Sequence, residues 1–149
     1  MNRSRSLFVI LLFFATAGFV GLNGCGAPGA GSPSYTLTGT ALNPASVAAG
    51  GNATSTVTVT PANGPGKGYT GSVFLSCSSS PGGNAAPICS FSVNPVAISS
   101  TAPVTSMLRV STSDNTPGDS YTITLTAIDA NNLAPSNGAQ RLNLTVESP

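Results

Sequence analysis

Seven side chains hold most of the reactive chemistry in this 149-residue chain: Cys25, Cys77, Cys89, Asp114, Asp119, Asp129 and Glu147. The sequence has no His. A nucleophile without a base is not an active site, so Ser-His-Asp and Cys-His mechanisms are excluded by composition. Lys67 sits between Gly66 and Gly68 in turn-like sequence and offers no substitute. Paired carboxylates can hydrolyse glycosides, but here the four acids fall in separate segments, three of them in or beside turns. Asp in such places ordinarily bonds to its own backbone. Zinc usually needs four N or S ligands, and Ca²⁺ six to eight oxygens; Asp114, Asn115 and Asp119 supply too few. The expectation is no catalytic residue, no metal and no cofactor. Two other features invite a binding role. Tyr35 and Tyr69 stand near strand starts, where a ring can stack on a sugar or simply pack. Rows of Thr could match an ordered surface, although Thr is also the ordinary solvent-facing residue of a strand.

The three cysteines divide by context. Met1–Ser6 carries Arg3 and Arg5, and Leu7–Val20 is apolar except for Thr16. Its 14 residues suit the core of a signal peptide and are short for a membrane span of about 20. Leu22-Asn23-Gly24-Cys25 follows at once. Residues 1–25 resemble the signal peptide and lipobox of bacterial lipoproteins. That resemblance implies diacylglyceryl on the Cys25 thiol, cleavage before it, and a mature chain beginning at Cys25. Two acyl chains suffice for stable anchoring, at about 0.8 kcal/mol per buried CH₂. The implied partner is therefore a membrane, reached through lipid on Cys25. Gly26 is not the Asp that retains some lipoproteins at the inner membrane, so a cell with two membranes would carry this one on the outer. Two other readings stand beside it: cleavage after Ala15-Thr16-Ala17 with free secretion, and an uncleaved anchor.

With Cys25 lipidated, Cys77 and Cys89 remain, an even number in an oxidising compartment. Val73, Leu75 and Cys77 alternate on one face of a strand, as do Cys89, Phe91 and Val93 on another. Both thiols should point into the core. A Cys77–Cys89 disulfide is expected, closing a loop of about a dozen residues worth about 3 kcal/mol.

Beyond the segment to be removed, Lys67, Arg109 and Arg141 face the four acids. Such a domain has no phosphate-neutralising patch, which argues against nucleic acid. Residues 26–34, GAPGAGSPS, read as a flexible tether. From Tyr35 the hydrophobic period is two. Seven strands are expected: Tyr35–Leu42, Ala53–Thr60, Gly71–Cys77, Ile88–Val93, Val104–Ser111, Ser120–Ile128 and Gln140–Glu147. Gly, Pro, Asn and Asp clusters separate them. Apolar and Thr-rich faces alternate, as in Tyr121, Ile123, Leu125 and Ala127 against Thr122, Thr124 and Thr126. Two sheets meeting at their apolar faces satisfy that pattern. The fold class is all-β, a seven-stranded immunoglobulin-like β-sandwich after a signal peptide and a short linker. The division is residues 1–24 signal peptide, 25–34 tether and 35–149 sandwich.

ASVAAGGNATSTVTVT (45–60), GSVFLSC (71–77), CSFSVNP (89–95) and PGDSYTITLT (117–126) together resemble a bacterial Ig-like module over residues 36–147. CSSSPGGNAAP (77–87) is longer than the turn such modules usually carry there. Modules of this kind accompany secreted proteases and glycoside hydrolases as spacers or binding domains. The resemblance implies a non-enzymatic role in adhesion, envelope structure or extracellular binding. The alternative is an accessory carbohydrate- or protein-binding subunit of an exported complex.

Overall fold

The computed structural model describes residues 32–64 and 67–148. The signal peptide, Ala15-Thr16-Ala17, Cys25 and most of the tether lie outside them. Among the described residues nine strands form two sheets. They are β1 (Tyr35–Gly39), β2 (Ser46–Ala48), β3 (Asn52–Pro61), β4 (Gly71–Ser80), β5 (Ile88–Phe91), β6 (Val96–Ile98), β7 (Val104–Ser111), β8 (Asp119–Asp129) and β9 (Gln140–Glu147). One sheet has the order β1-β3-β7-β5 and the other β2-β9-β8-β4-β6. Every pairing between these strands is antiparallel except β2 with β9.

The period-two pattern sets which side chains meet. Leu37, Val57, Val59, Leu108 and Val110 from the first sheet pack into one core with Val73, Leu75, Ile123, Leu125 and Leu144 from the second. Each such side chain contributes about 1.5–3 kcal/mol when fully buried. Their strand neighbours Thr54, Thr56, Thr126 and Thr145 face outward and are exposed.

Nine strands replace the expected seven because both edge strands of the first sheet stop early and change sheets. The predicted first strand ran to Leu42, but β1 ends at Gly39 and the chain re-emerges as β2 in the other sheet. The predicted fourth ran to Val93, but β5 ends at Phe91 and the chain re-emerges as β6. A hydroxyl side chain ends each ladder. The Thr56 N–H donates to Thr40 Oγ1 (2.9 Å), and buried Ser55 Oγ donates to the Thr40 carbonyl (2.6 Å). At the second edge the Met107 N–H donates to Ser92 Oγ (2.9 Å), and buried Ser106 Oγ donates to the Val93 carbonyl (2.8 Å). Side-chain hydroxyls thus take over ladder bonds where the strand departs. Val93, expected in the core, has already left the sheet and is 48% exposed. Gly39 permits the first departure, since a Cβ there would lie 2.9 Å from the Leu125 side chain.

Strand direction defines two ends of the sandwich. Ser32–Ser34, Lys67–Thr70 and Asp129–Leu133 gather at the end where β1 begins. Gly50, Pro81–Ala86, Asp114–Asp119 and Ser148 gather at the other.

Candidate functional site

The predicted bridge joins β4 of one sheet to β5 of the other. Cys77 and Cys89 form a disulfide with Cα atoms 6.3 Å apart, 12 positions apart in sequence. Both half-cystines are partly buried against the core. The bridge closes the base of the loop Pro81–Pro87, whose hydrogen bonds are few: Ala86 N–H to the Gly83 carbonyl (3.1 Å), and Ser79 Oγ to the Pro87 carbonyl (3.0 Å). A concavity of about 400 Å³ lies between this loop and Pro117, Asp119 and Tyr121.

Asp129 lies at one end of the sandwich and Asp114, Asp119 and Glu147 at the other, and among the described residues no three of them gather as metal ligands. Asp119 opens β8 and Asp129 closes it, 11 residues in all. At about 3.3 Å per residue they stand on the order of 33 Å apart, far beyond the roughly 5–9.5 Å that paired catalytic carboxyls need. Each acid has a local partner. Asp119 Oδ1 accepts the Ser120 N–H (2.7 Å), and Glu147 Oε1 accepts the Ser46 hydroxyl (2.7 Å). Asp114 packs against Gly50, which has no Cβ to fill the space the carboxylate takes and a φ of 82° that favours glycine.

Asp129 is the buried acid, 6% exposed. Its Oδ1 accepts the N–H groups of Asn131 and Leu133 (both 2.8 Å), and its Oδ2 accepts the Tyr69 hydroxyl (3.1 Å). The Leu133 amide is the first cause, with Asn131 and Tyr69 adding, that holds this carboxyl below its usual range against the opposing effect of burial. Burial first, then the bond to Asp129, pushes Tyr69 up to about 12. The Tyr35 hydroxyl donates to the Leu133 carbonyl (2.8 Å), and its ring lies 4.9 Å from that of Tyr69, tilted by 51°. Tyr35 is fully buried and Tyr69 4% exposed. Both rings pack, and neither is a platform for a sugar. Proline and loop residues around Tyr69 and Asp129 leave a concavity of about 510 Å³. An ionised carboxylate with both oxygens occupied is a fastener for the turn, not a poised acid or base.

Two residues carry structural roles that sequence reading passed over. The Asn137 side chain pairs with the backbone of Leu37, accepting its N–H (3.0 Å) and donating to its carbonyl (2.7 Å). Asn94 does the same to Leu75 (2.8 and 2.8 Å). Each amide imitates one residue of a neighbouring strand. Asn-Pro at positions 94–95 and Asn in a Gly-containing loop at 137 signal turns, and nothing local distinguishes a strand-capping amide from an ordinary turn residue.

No protein-family model matches this sequence, and no curated protein matches it. Solved structures do match in fold. A family 123 glycoside hydrolase from Clostridium perfringens, studied for glycolipid glycan hydrolysis, superposes at TM-score 0.54 and 10% identity over 78% of this chain. The chain spans only 28% of that hydrolase. The SrpA adhesin from Streptococcus sanguinis gives TM-score 0.45 and 18% identity, over 78% of this chain and 60% of the adhesin. The likeness is one of all-β architecture.

Proposed function

We propose that this chain is a lipid-anchored envelope protein. In this reading its immunoglobulin-like domain serves adhesion, envelope structure or extracellular binding without catalysing a reaction. The strand order supports the immunoglobulin-like assignment: β1-β3-β7-β5 corresponds to A-B-E-D, and β9-β8-β4 to G-F-C. A bridged Cys77–Cys89 pair suits an oxidising compartment outside the cytoplasm. The observation that carries the non-catalytic reading is how the acids are held. Asp129 is separated from Asp119 by the length of an 11-residue strand, and Asp119, Asp129 and Glu147 are each engaged in a hydrogen bond. The lipobox-like Leu22–Cys25 carries the anchor.

Mass spectrometry of the mature N-terminus tests the anchor. A diacylglyceryl-modified Cys25 is expected, and Cys25→Ala should abolish lipid incorporation. A mature peptide beginning at Gly18 with an unmodified Cys25 would overturn it. The catalytic part is tested separately with esters, peptides and common glycosides, with and without divalent metals. Turnover that co-purifies with the protein and is lost in Asp114→Ala, Asp119→Ala or Asp129→Ala would overturn the binding or structural role.

A further inference from the structure

The sandwich closes its strand edges unevenly. The outer edge of β1 is occupied: Ser136 bonds the Tyr35 carbonyl, and Asn137 bonds both groups of Leu37. On β4, β6 covers Gly71–Val73 and Asn94 covers Leu75, which leaves Cys77 and Ser79 facing outward at its end. β5 is open along its whole length. Ser92 and Met107 form a hydrogen-bonded pair with β7, which makes Ser90–Arg109 and Ile88–Ser111 the next pairs of that kind in the register. Cys89 and Phe91 therefore turn their N–H and C=O groups outward. Among the described residues no loop or side chain bonds them.

Edge strands are commonly protected by Lys, Pro or a bulge. The run Ile88–Val93 holds none of these and no charge. The one nearby cation, Arg109 opposite Ser90, directs its Nε to Asn52 Oδ1 on β3 (3.2 Å), away from the edge. Beside this edge Ile88 is 71% exposed, Val93 48% and Met107 57%.

We propose that β5 pairs antiparallel with β5 of a second copy of this chain, joining two four-stranded sheets. The register follows from the geometry. Centring the two-fold on Ser90 sets Cys89 opposite Phe91 of the second copy, and the reverse. Those are the residues with free outward groups, so both pairs exchange two hydrogen bonds. Ile88 then lies opposite Ser92 on the outer face. The ladder stops on both sides for a reason already present: Pro87 has no N–H, and Val93 has both backbone groups bound to Ser106. No like charges meet across the axis. The contact is small beside the roughly 1,200 Å² of a stable interface, so the pairing is weak and reversible.

The test uses the full chain, with the Cys77–Cys89 bridge confirmed by peptide mapping. Amide exchange at Cys89 and Phe91 should slow about tenfold when concentration makes nine-tenths of the molecules dimeric. The outward-facing amides of other edges should not change. Ser90→Lys, which sets two cations face to face across the axis, should abolish the slowing. Ser90→Cys should cross-link two copies through position 90, whereas Ser76→Cys, exposed on the other sheet, should not. Cross-linking at positions 76 and 90 alike would mean copies merely crowded together and would overturn the pairing. Exchange at Cys89 and Phe91 that stays constant from micromolar to millimolar chain would overturn it as well.

Discussion

The two ends of the sandwich are held by different means. Where β1 begins, a buried carboxylate collects two backbone amides and a phenol, and a second phenol bonds the same turn. At the opposite end a long Gly- and Ala-containing loop has few hydrogen bonds, and a covalent bridge fixes its base. The first arrangement is cooperative and directional, so each member fixes its neighbours. The second restrains only where the loop starts and stops. A chain with few charged residues can secure one end with a network, and it can leave the other variable in shape provided its stem is cross-linked.

That contrast is open to direct attack. The largest effect should come from the bridge. Reduction, or Cys77→Ser with Cys89→Ser, should cost about 3 kcal/mol by the loss of loop-closure restraint. Urea unfolding measures the loss, and hydrogen exchange should accelerate around Pro81–Ile88 while the amides of Asn131 and Leu133 stay slow. Next come the strand-mimicking amides. Asn137→Ala and Asn94→Ala should each cost about 1–2 kcal/mol, the loss of two hydrogen bonds to a half-buried backbone. Asn137→Ala should loosen β1, and Asn94→Ala the middle of β4. If both substitutions proved neutral, the edges would be held by packing alone. The smallest effect near neutral pH concerns ionisation. Asp129 titrates lower folded than unfolded. Its stabilisation is therefore complete above the unfolded value and fades as pH falls through the folded one. Tyr69 works in the other sense: neutral in the fold up to about pH 12, it contributes stability that is lost as pH rises from about 10 towards 12. Asp129→Asn should flatten the acid limb of a stability–pH curve and leave the alkaline limb largely in place. An unchanged acid limb would remove Asp129 from the account.

The period-two runs made β3, β4, β7, β8 and β9 legible, because long strands with one buried face announce themselves by alternation. The Cys77–Cys89 bridge followed from the same parity. β2 and β6 were invisible for a reason of length. Three residues after an Asn-Pro read as the end of a turn, and only pairing with β9 or β4 makes Ser46–Ala48 and Val96–Ile98 strands. The sheet changes were equally hidden. Thr40 and Ser92 look like ordinary alternating hydroxyls, and their replacement of ladder acceptors depends on Ser55 and Ser106, which sit 15 and 14 residues away. Whether Tyr35 and Tyr69 stack or pack was hidden for a related reason. A Tyr next to a turn has the same local sequence whether it faces solvent or closes over a buried Asp, and Asp129 lies 60 residues beyond Tyr69.

The parallel contact between β2 and β9 bears on how the protein responds to force. β1, β2 and β9 all run from the residue-32 end toward the residue-148 end. Tension between those two points pulls β2 one way and β9 the other along their shared axis. The bonds registering Ser46–Ala48 with Thr145–Glu147 are then loaded together in shear, not opened one after another. Resistance of this kind is set by the unfolding rate and not by equilibrium stability. A three-residue strand that adds little to the core thus stands, after β1, in the path of a pull along the molecule.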